Sequence, residues 1–164
     1  MYEDPIIKKY IELIKASCPK IKGYYHGDPF NIPKSNLPAM ILSKAQTNVT
    51  QLTNAEDAHQ IGLVLTLVTD IRDQRNDNDQ ITPGIAQLYD IIEGRDDGTY
   101  KLKTTSILNI LRTNQLVDAT YNLRTDLSTL TRANYGMVLG KRSPEGYSTE
   151  GQVEFIATYS QLRT

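Results

Sequence analysis

Residues 59–69, HQIGLVLTLVT, carry the clearest secondary-structure pattern in the chain. The aliphatic residues of this stretch alternate with a period of two, which predicts a β-strand. One face of that strand carries Ile61, Leu63, Leu65 and Leu67. Val64 and Val68 make the second face partly apolar, whereas a strand of an antiparallel sheet usually has one wet face. We therefore expect the second face to be covered by another helix layer or by a neighbouring subunit.

The segments before this strand also read as extended chain. Residues 54–57 form a turn signal, and residues 43–52 are rich in Thr, Gln and Asn, which indicates a solvated strand or a sheet edge. Residues 39–42 continue the same segment upstream with apolar side chains, starting after Leu37-Pro38. Residues 21–25 are compatible with a further short strand.

Capping residues predict an N-terminal helix. Asp4 is a good N-cap, Pro5 fits the first helical position and Pro19 ends the helix. The apolar residues between them recur at helical spacing, and Cys18 lies on that stripe. Cys18 is therefore expected to be a small core residue.

Two further helices are predicted downstream. The first begins at Thr82 and Pro83 and ends at Gly94, and a short one follows a cap at Thr105 or Ser106. Residues 113–134 are ambiguous: helical spacing is shared by Leu123, Leu127 and Leu130. The many Thr and Asn residues there weaken a helical assignment.

The end of the chain reads as a hairpin, with strands at residues 135–140 and 152–159 and a loop at residues 141–151. Alternation places Val153, Phe155, Ala157 and Tyr159 on one face. The element order is then α, β, β, α, α, β, β. This order predicts one α+β domain over residues 1–164, with an antiparallel sheet of about four strands flanked by two or three helices.

The composition and charge of the chain argue against several classes of function. The chain has 164 residues and a net charge of −1, with no long basic run, which argues against direct sequence-specific nucleic-acid binding. A single cysteine excludes an internal disulfide. The N-terminus shows no secretory signal, and no apolar run approaches the length of a membrane span, so we expect synthesis in the cytoplasm and no membrane partner.

Patterns for catalysis or cofactor binding are not found in the sequence. Cys18, His26 and His59 lack the spacing of a zinc site or of a nucleophile with its base. A calcium loop fails in both registers, since Arg75 falls on a ligand position when the loop starts at Asp73, and Ile81 does when it starts at Asp77. No phosphate-binding glycine loop occurs. We therefore expect no cofactor, no metal and no enzymatic activity.

Two polar loops are the candidate interaction segments. Residues 70–80 are charge-rich and long enough to be functional, and residues 141–151 form the second loop. We expect that deleting residues 76–79 leaves the fold intact and impairs assembly. With the second face of the central strand, the candidate interface residues are Asp70, Arg72, Asp73, Arg75, Asp77, Asp79, Val64, Val68, Lys141 and Arg142.

The order of segments resembles the tail terminator and tail-completion proteins of long-tailed bacteriophages. The resemblance lies in an amphipathic N-terminal helix, the Pro-bounded strand LPAMIL at residues 37–42, the strand GLVLTLVT at residues 62–69, a polar loop with a helix at residues 81–93, and two final strands. It implies a virion protein of the neck that forms a ring, commonly a hexamer. Such a ring caps the tail tube and contacts the tail tube protein and the head–tail connector proteins. No catalytic residue carries over from that family.

Two alternatives remain open at this point. Another neck protein, such as a head-closure factor, would show a similar order of segments. The ambiguous residues 113–134 keep this alternative open. A small soluble enzyme or ligand-binding domain would instead show a pocket with convergent titratable groups. Self-association distinguishes a terminator from a small enzyme. A terminator closes a ring by heterologous contacts, whereas a small enzyme is most often a monomer or dimer.

Overall fold

The computed structural model describes residues 2–29, 31–70, 83–139 and 147–163. Within these residues the helices are α1, Pro5–Ser17, α2, Pro83–Glu93, and α3, Ile107–Thr113. The Asp4 carboxylate accepts the amides of Ile6 and Ile7 at 2.9 and 3.2 Å, which confirms the predicted N-cap of α1. A short 3-10 helix lies at Lys34–Asn36.

The strands of the described residues form one sheet. In chain order they are β1 Gly23–His26, β2 Ala39–Gln51, β3 Glu56–Asp70, β4 Leu116–Asp118, β5 Leu123–Asp126, β6 Ala133–Leu139 and β7 Tyr147–Leu162. Their spatial order is β1-β2-β3-β7-β5-β4, and β6 also pairs with β7. The three long strands β2, β3 and β7 lie side by side as an antiparallel centre.

The prediction of about four antiparallel strands was therefore wrong in number and in sense. The α+β class is confirmed, but the sheet of the described residues has seven strands and is mixed, because β1 runs parallel to β2. β1 can do so because residues 27–38, which include the short helix at Lys34–Asn36, return the chain to the same end of the sheet before β2 begins.

One local assignment was left open and one local prediction was wrong. Residues 113–134, which the sequence left ambiguous, contain β4 and β5, since Leu123 lies in a strand and Leu130 follows a turn. Both leucines are buried in the main core. Their spacing therefore reflects burial in the same core and not a turn of helix. The final loop was placed too long, because residues 147–151 already belong to β7.

All three helices pack on one face of the sheet. That face carries the predicted alternating residues of β3, and the same core includes Met40, Leu42, Val153, Phe155 and Ala157. Tyr10 of α1 is fully buried there, with its ring centroid 5.2 Å from that of Phe155 and its hydroxyl 2.7 Å from the Thr125 hydroxyl. The helix layer thus covers the end of the sheet nearest β1 and β6, and α1 also reaches β5 through the bond between Tyr10 and Thr125.

On the opposite face of the sheet, the described residues form a small second core. Val68 is buried there with Ile32, Ala39 and Ile41, and Tyr25 and Leu37 pack against them. The segment around the short helix at Lys34–Asn36 therefore covers the second face at one end of the sheet. At that end the cover expected from the apolar pattern comes from the chain itself.

Candidate assembly surface

At one end of the sheet the three central strands form an arm whose described side chains are exposed or half-buried. We define the arm as residues 44–51 of β2, 56–60 of β3 and 158–162 of β7. Residues 44–51 are all exposed, and no described side chain of the arm is buried. The five-residue segments of β3 and β7 each span about 16 Å of extended chain. The arm is therefore a long sheet segment with both faces open to solvent.

Contacts at the tip hold the arm in one shape. Leu52 and Thr53 donate their amides to the Glu56 carbonyl, which closes the turn between β2 and β3. Arg163 then binds this turn to the end of β7: its amide donates to the Ala55 carbonyl at 2.8 Å and its guanidinium to the Thr53 carbonyl at 2.8 Å. The same guanidinium lies 3.5 Å from the Asp57 carboxylate. The arm is thus a defined element rather than a loose hairpin.

The helix-side face of the arm carries a half-exposed aromatic pair. The rings of His59 and Tyr159 are stacked, with centroids 4.5 Å apart. Val49 lies opposite His59 in the register and is 54% exposed. Tyr159 packs against the main core, and the row continues the face that forms this core nearer the centre of the sheet.

A shallow cavity of about 270 Å³ lies at the root of the arm on the opposite face. It is present because β2 bulges between Lys44 and Gln46 and because Gly62 of β3 has no side chain to fill the gap. Its lining is Ala45, Gly62, Leu63, Val64, Thr129, Glu154, Phe155 and Ile156. The lining is mostly apolar, with Glu154 as its one carboxylate, so it offers a contact for a side chain rather than a set of convergent titratable groups.

The candidate interface residues do not form one cluster in the structure. Val64 is half-buried and lines the cavity at the root of the arm, whereas Val68 lies under the segment that contains Ile32. Asp70 is the last residue of β3 and is buried. The remaining candidates lie outside the described residues: Arg72, Asp73, Arg75, Asp77, Asp79, Lys141 and Arg142.

The sequence contained the signal for the arm, but no arm residue was chosen as a candidate. Residues 43–52 were interpreted as a solvated strand or an edge, and β2 does continue to Gln51 as an exposed strand. The signal that could have identified them is the combination of strand-forming Thr and Val with no charge over residues 45–52.

The cysteine and the two histidines lie in different parts of the structure. Cys18 is buried in the main core, and burial raises the pKa of its thiol. His26 is exposed at the end of β1 and His59 lies on the arm. Within residues 2–29, 31–70, 83–139 and 147–163, no group of three His, Cys, Asp or Glu side chains is arranged to hold a metal ion.

An ion pair joins the helix layer to the root of the arm. The Lys44 ammonium contacts the Asp4 carboxylate that caps α1. Burial alone would raise the pKa of Asp4, but the bond from Lys44 and the amides of Ile6 and Ile7 lower it below its usual value. Asp4 therefore caps α1 and also pairs with Lys44, the first residue of the arm.

Two comparisons of the sequence with known proteins found no match. No family model matches the sequence, and no curated protein shows significant similarity to it. None of the described helices has the length and apolar character needed to cross a membrane.

Proposed function

We propose that the chain is a structural subunit of a long-tailed phage particle, which closes with its copies into a ring at the end of the tail tube. The ring, a hexamer in this proposal, joins the tube to the head connector. The tail tube protein and the connector proteins are then its partners. The order of helices and strands along the chain supports this reading through its resemblance to tail terminators.

The observation that carries the proposal is the arm. The arm segments of β3 and β7 each span about 16 Å, and no described side chain of the three arm strands is buried. An exposed hairpin with open backbone groups is a template for pairing with other chains, and natural proteins keep such edges short unless they use them. A subunit that stacks on a tube and contacts its neighbours needs a projecting element of this kind.

Labelled electron microscopy tests the proposal. A tag at the N-terminus is suitable because Tyr2 is 79% exposed, whereas the other end of the described chain, at Arg163, is bound to the tip of the arm. We expect the label at the head–tail junction of particles made by the phage that encodes the chain. Particles that carry no label, or carry it elsewhere, would overturn the proposed function.

A matched variant makes the test specific to the arm. The same tagged chain with Val49 and Leu52 replaced by Glu should fold, because both side chains are more than half exposed. We expect it to be absent from particles, since charge on the arm opposes packing against a neighbour. A charge-altered control on the outer face of α1, Lys9→Glu, should enter particles normally.

A further inference from the structure

Part of β2 is an open sheet edge. β1 covers its first residues, and the last contact of that pairing is the Gly27 amide donating to the Leu42 carbonyl. Beyond Leu42, β2 pairs only with β3 within the described residues. In the part of the chain that the structure describes, the outer side of β2 is therefore unpaired from the bulge to the tip.

The backbone groups on that edge can be assigned from the turn. The Leu52 amide donates to Glu56, so the Leu52 backbone faces β3. Successive residues of a strand direct their backbone groups to opposite sides, so Thr47, Val49 and Gln51 direct theirs away from β3. Each of these residues offers one N–H and one C=O to an incoming strand.

The edge lacks the usual protection against pairing. Natural edge strands are blocked by charges, proline or a very short length. Residues 45–55 contain no charged residue and no proline, and residues 45–51 form seven residues of continuous exposed strand. The edge is thus available for a further strand.

A second open edge of the same kind lies at β6. The Arg163 amide donates to Ala55 of the β2–β3 turn and the Ile156 amide to Thr129, so odd residues of β7 face β3 and even residues face β6 or β5. Since Asn134 and Gly136 pair with even residues of β7, the backbones of Tyr135 and Met137 face outward. β6 also spans seven residues, ANYGMVL, and has no charge.

The edges formed by β4 and β1 differ from these. β4 has only three residues and ends in Asp118, and β1 has four residues flanked by Lys22 and Asp28. They are short and charged, as protected edges are. Among the described strands, the two long charge-free edges are therefore β2 beyond its bulge and β6.

We propose that the β2 edge of one copy, residues 45–51, pairs with the β6 edge, Ala133–Leu139, of a second copy. This inference rests on the proposed function, and it specifies which surfaces join the subunits. The two edges have the same length, and they lie on opposite sides of the central strands in one sheet. Because the contact joins two different edges, it repeats from copy to copy and can close a ring.

Two proline variants test this pairing. Val49→Pro removes an outward amide of the β2 edge, and Met137→Pro removes an outward amide of the β6 edge. Proline is tolerated at edge positions whose amide has no partner, so both chains should fold, as judged by circular dichroism and thermal melting. Sedimentation velocity should show concentration-dependent assembly of the wild type and association weakened at least about tenfold for each variant. Val49→Thr keeps the amide and should assemble as the wild type does.

A mixture of the two variants gives the sharpest outcome. Val49→Pro retains its β6 edge and Met137→Pro retains its β2 edge, so an equimolar mixture should form dimers and nothing larger. Normal assembly of Met137→Pro alone would overturn the pairing in favour of symmetric contact between two β2 edges or another surface. Normal assembly of Val49→Pro, or a wild type that stays monomeric up to about 1 mM, would overturn it as well.

Amide hydrogen exchange of the unmodified chain supplies a test that does not depend on variants folding. On assembly the amides of Val49 and Met137 should become protected together, by at least about tenfold in rate. Fast exchange at either position in the assembled protein would overturn the pairing. These results are separable from the proposed function: label at the head–tail junction with unprotected edges refutes only the pairing, and protected edges with no label on particles refute only the location.

Discussion

The same three strands behave differently in the two halves of the sheet. In the covered half, residues 39–42 of β2 are all buried, and β3 is almost wholly buried from residue 61 to 70. In the arm the same strands bury no described side chain, although their pairing continues without a break in β3 and β7. The covered half is explained by the core that it forms. The arm is held by backbone pairing, by Arg163 at its tip and by the ion pair of Lys44 with Asp4 at its root.

The largest contrast is expected from truncating one aliphatic side chain in each half. Leu65→Ala opens a cavity in the main core, because Leu65 is fully buried, and should cost about 2–5 kcal/mol of unfolding free energy. Val49→Ala on the arm should change it by no more than about 0.5 kcal/mol. Urea denaturation measures both, and a comparable loss for Val49→Ala would show that the arm contributes to the core.

Alkaline pH should destabilise the covered half through Tyr10. Burial raises the pKa of Tyr10 to about 12, although the hydrogen bond with Thr125 lowers it. The unfolded chain ionises this tyrosine near pH 10, so its contribution to stability is present below pH 10 and is lost as pH rises toward 12. The wild type should lose roughly 2–3 kcal/mol more than Tyr10→Phe over this interval. Tyr121→Phe, at a side chain that is 69% exposed, should follow the wild type.

Glycine substitutions should separate the covered end of the sheet from the arm root. A methyl group on Gly23 would lie 2.8 Å from the Asn36 carbonyl oxygen, a backbone atom that cannot move alone. Gly23→Ala should therefore cost about 1–3 kcal/mol. Gly62→Ala meets its nearest atom, the Gln46 carbonyl oxygen, at 3.6 Å and should be nearly neutral. Thermal melting of the two variants gives the comparison, and equal losses would contradict it.

The smallest effect is expected where the two halves meet. Asp4→Ala removes the cap of α1 and the partner of Lys44, and should cost about 1 kcal/mol. Because the pKa of Asp4 is lowered in the folded chain, this contribution is present above the unfolded pKa near 4 and is lost at lower pH. Glu3→Ala, at an exposed neighbour, should show no such loss when stability is followed from pH 7 to pH 3.

Local sequence signals predicted the covered half well. The cap at Asp4, the start of α2 at Pro83 and the alternating apolar residues of β3 and β7 are all present in the structure. Each depends on residues close together in the chain, where capping and periodicity act. Sequence reasoning failed where pairing over long separations decides the structure, as for the parallel alignment of Gly23 with Ala39 and for β4 and β5.

The candidate surface was predicted only in part. Apolar character on the second face of β3 drew attention to Val64 and Val68, but the chain itself covers Val68. The arm was visible as polar strand residues, yet polarity alone does not distinguish a solvated edge from one that pairs with another chain. That distinction needs the sheet order, which shows that residues 45–51 have a neighbour on only one side.

Shortening the arm tests the central claim most directly. Replacing residues 49–59 by Asn-Gly joins Asn48 to Gln60, a pair whose backbones face each other across β2 and β3, through a two-residue hairpin turn. Sedimentation velocity should show this variant as a compact folded monomer at concentrations where the wild type assembles. A shortened chain that assembles like the wild type, or that sediments as an unfolded chain, would contradict the claim that the arm serves assembly rather than the fold.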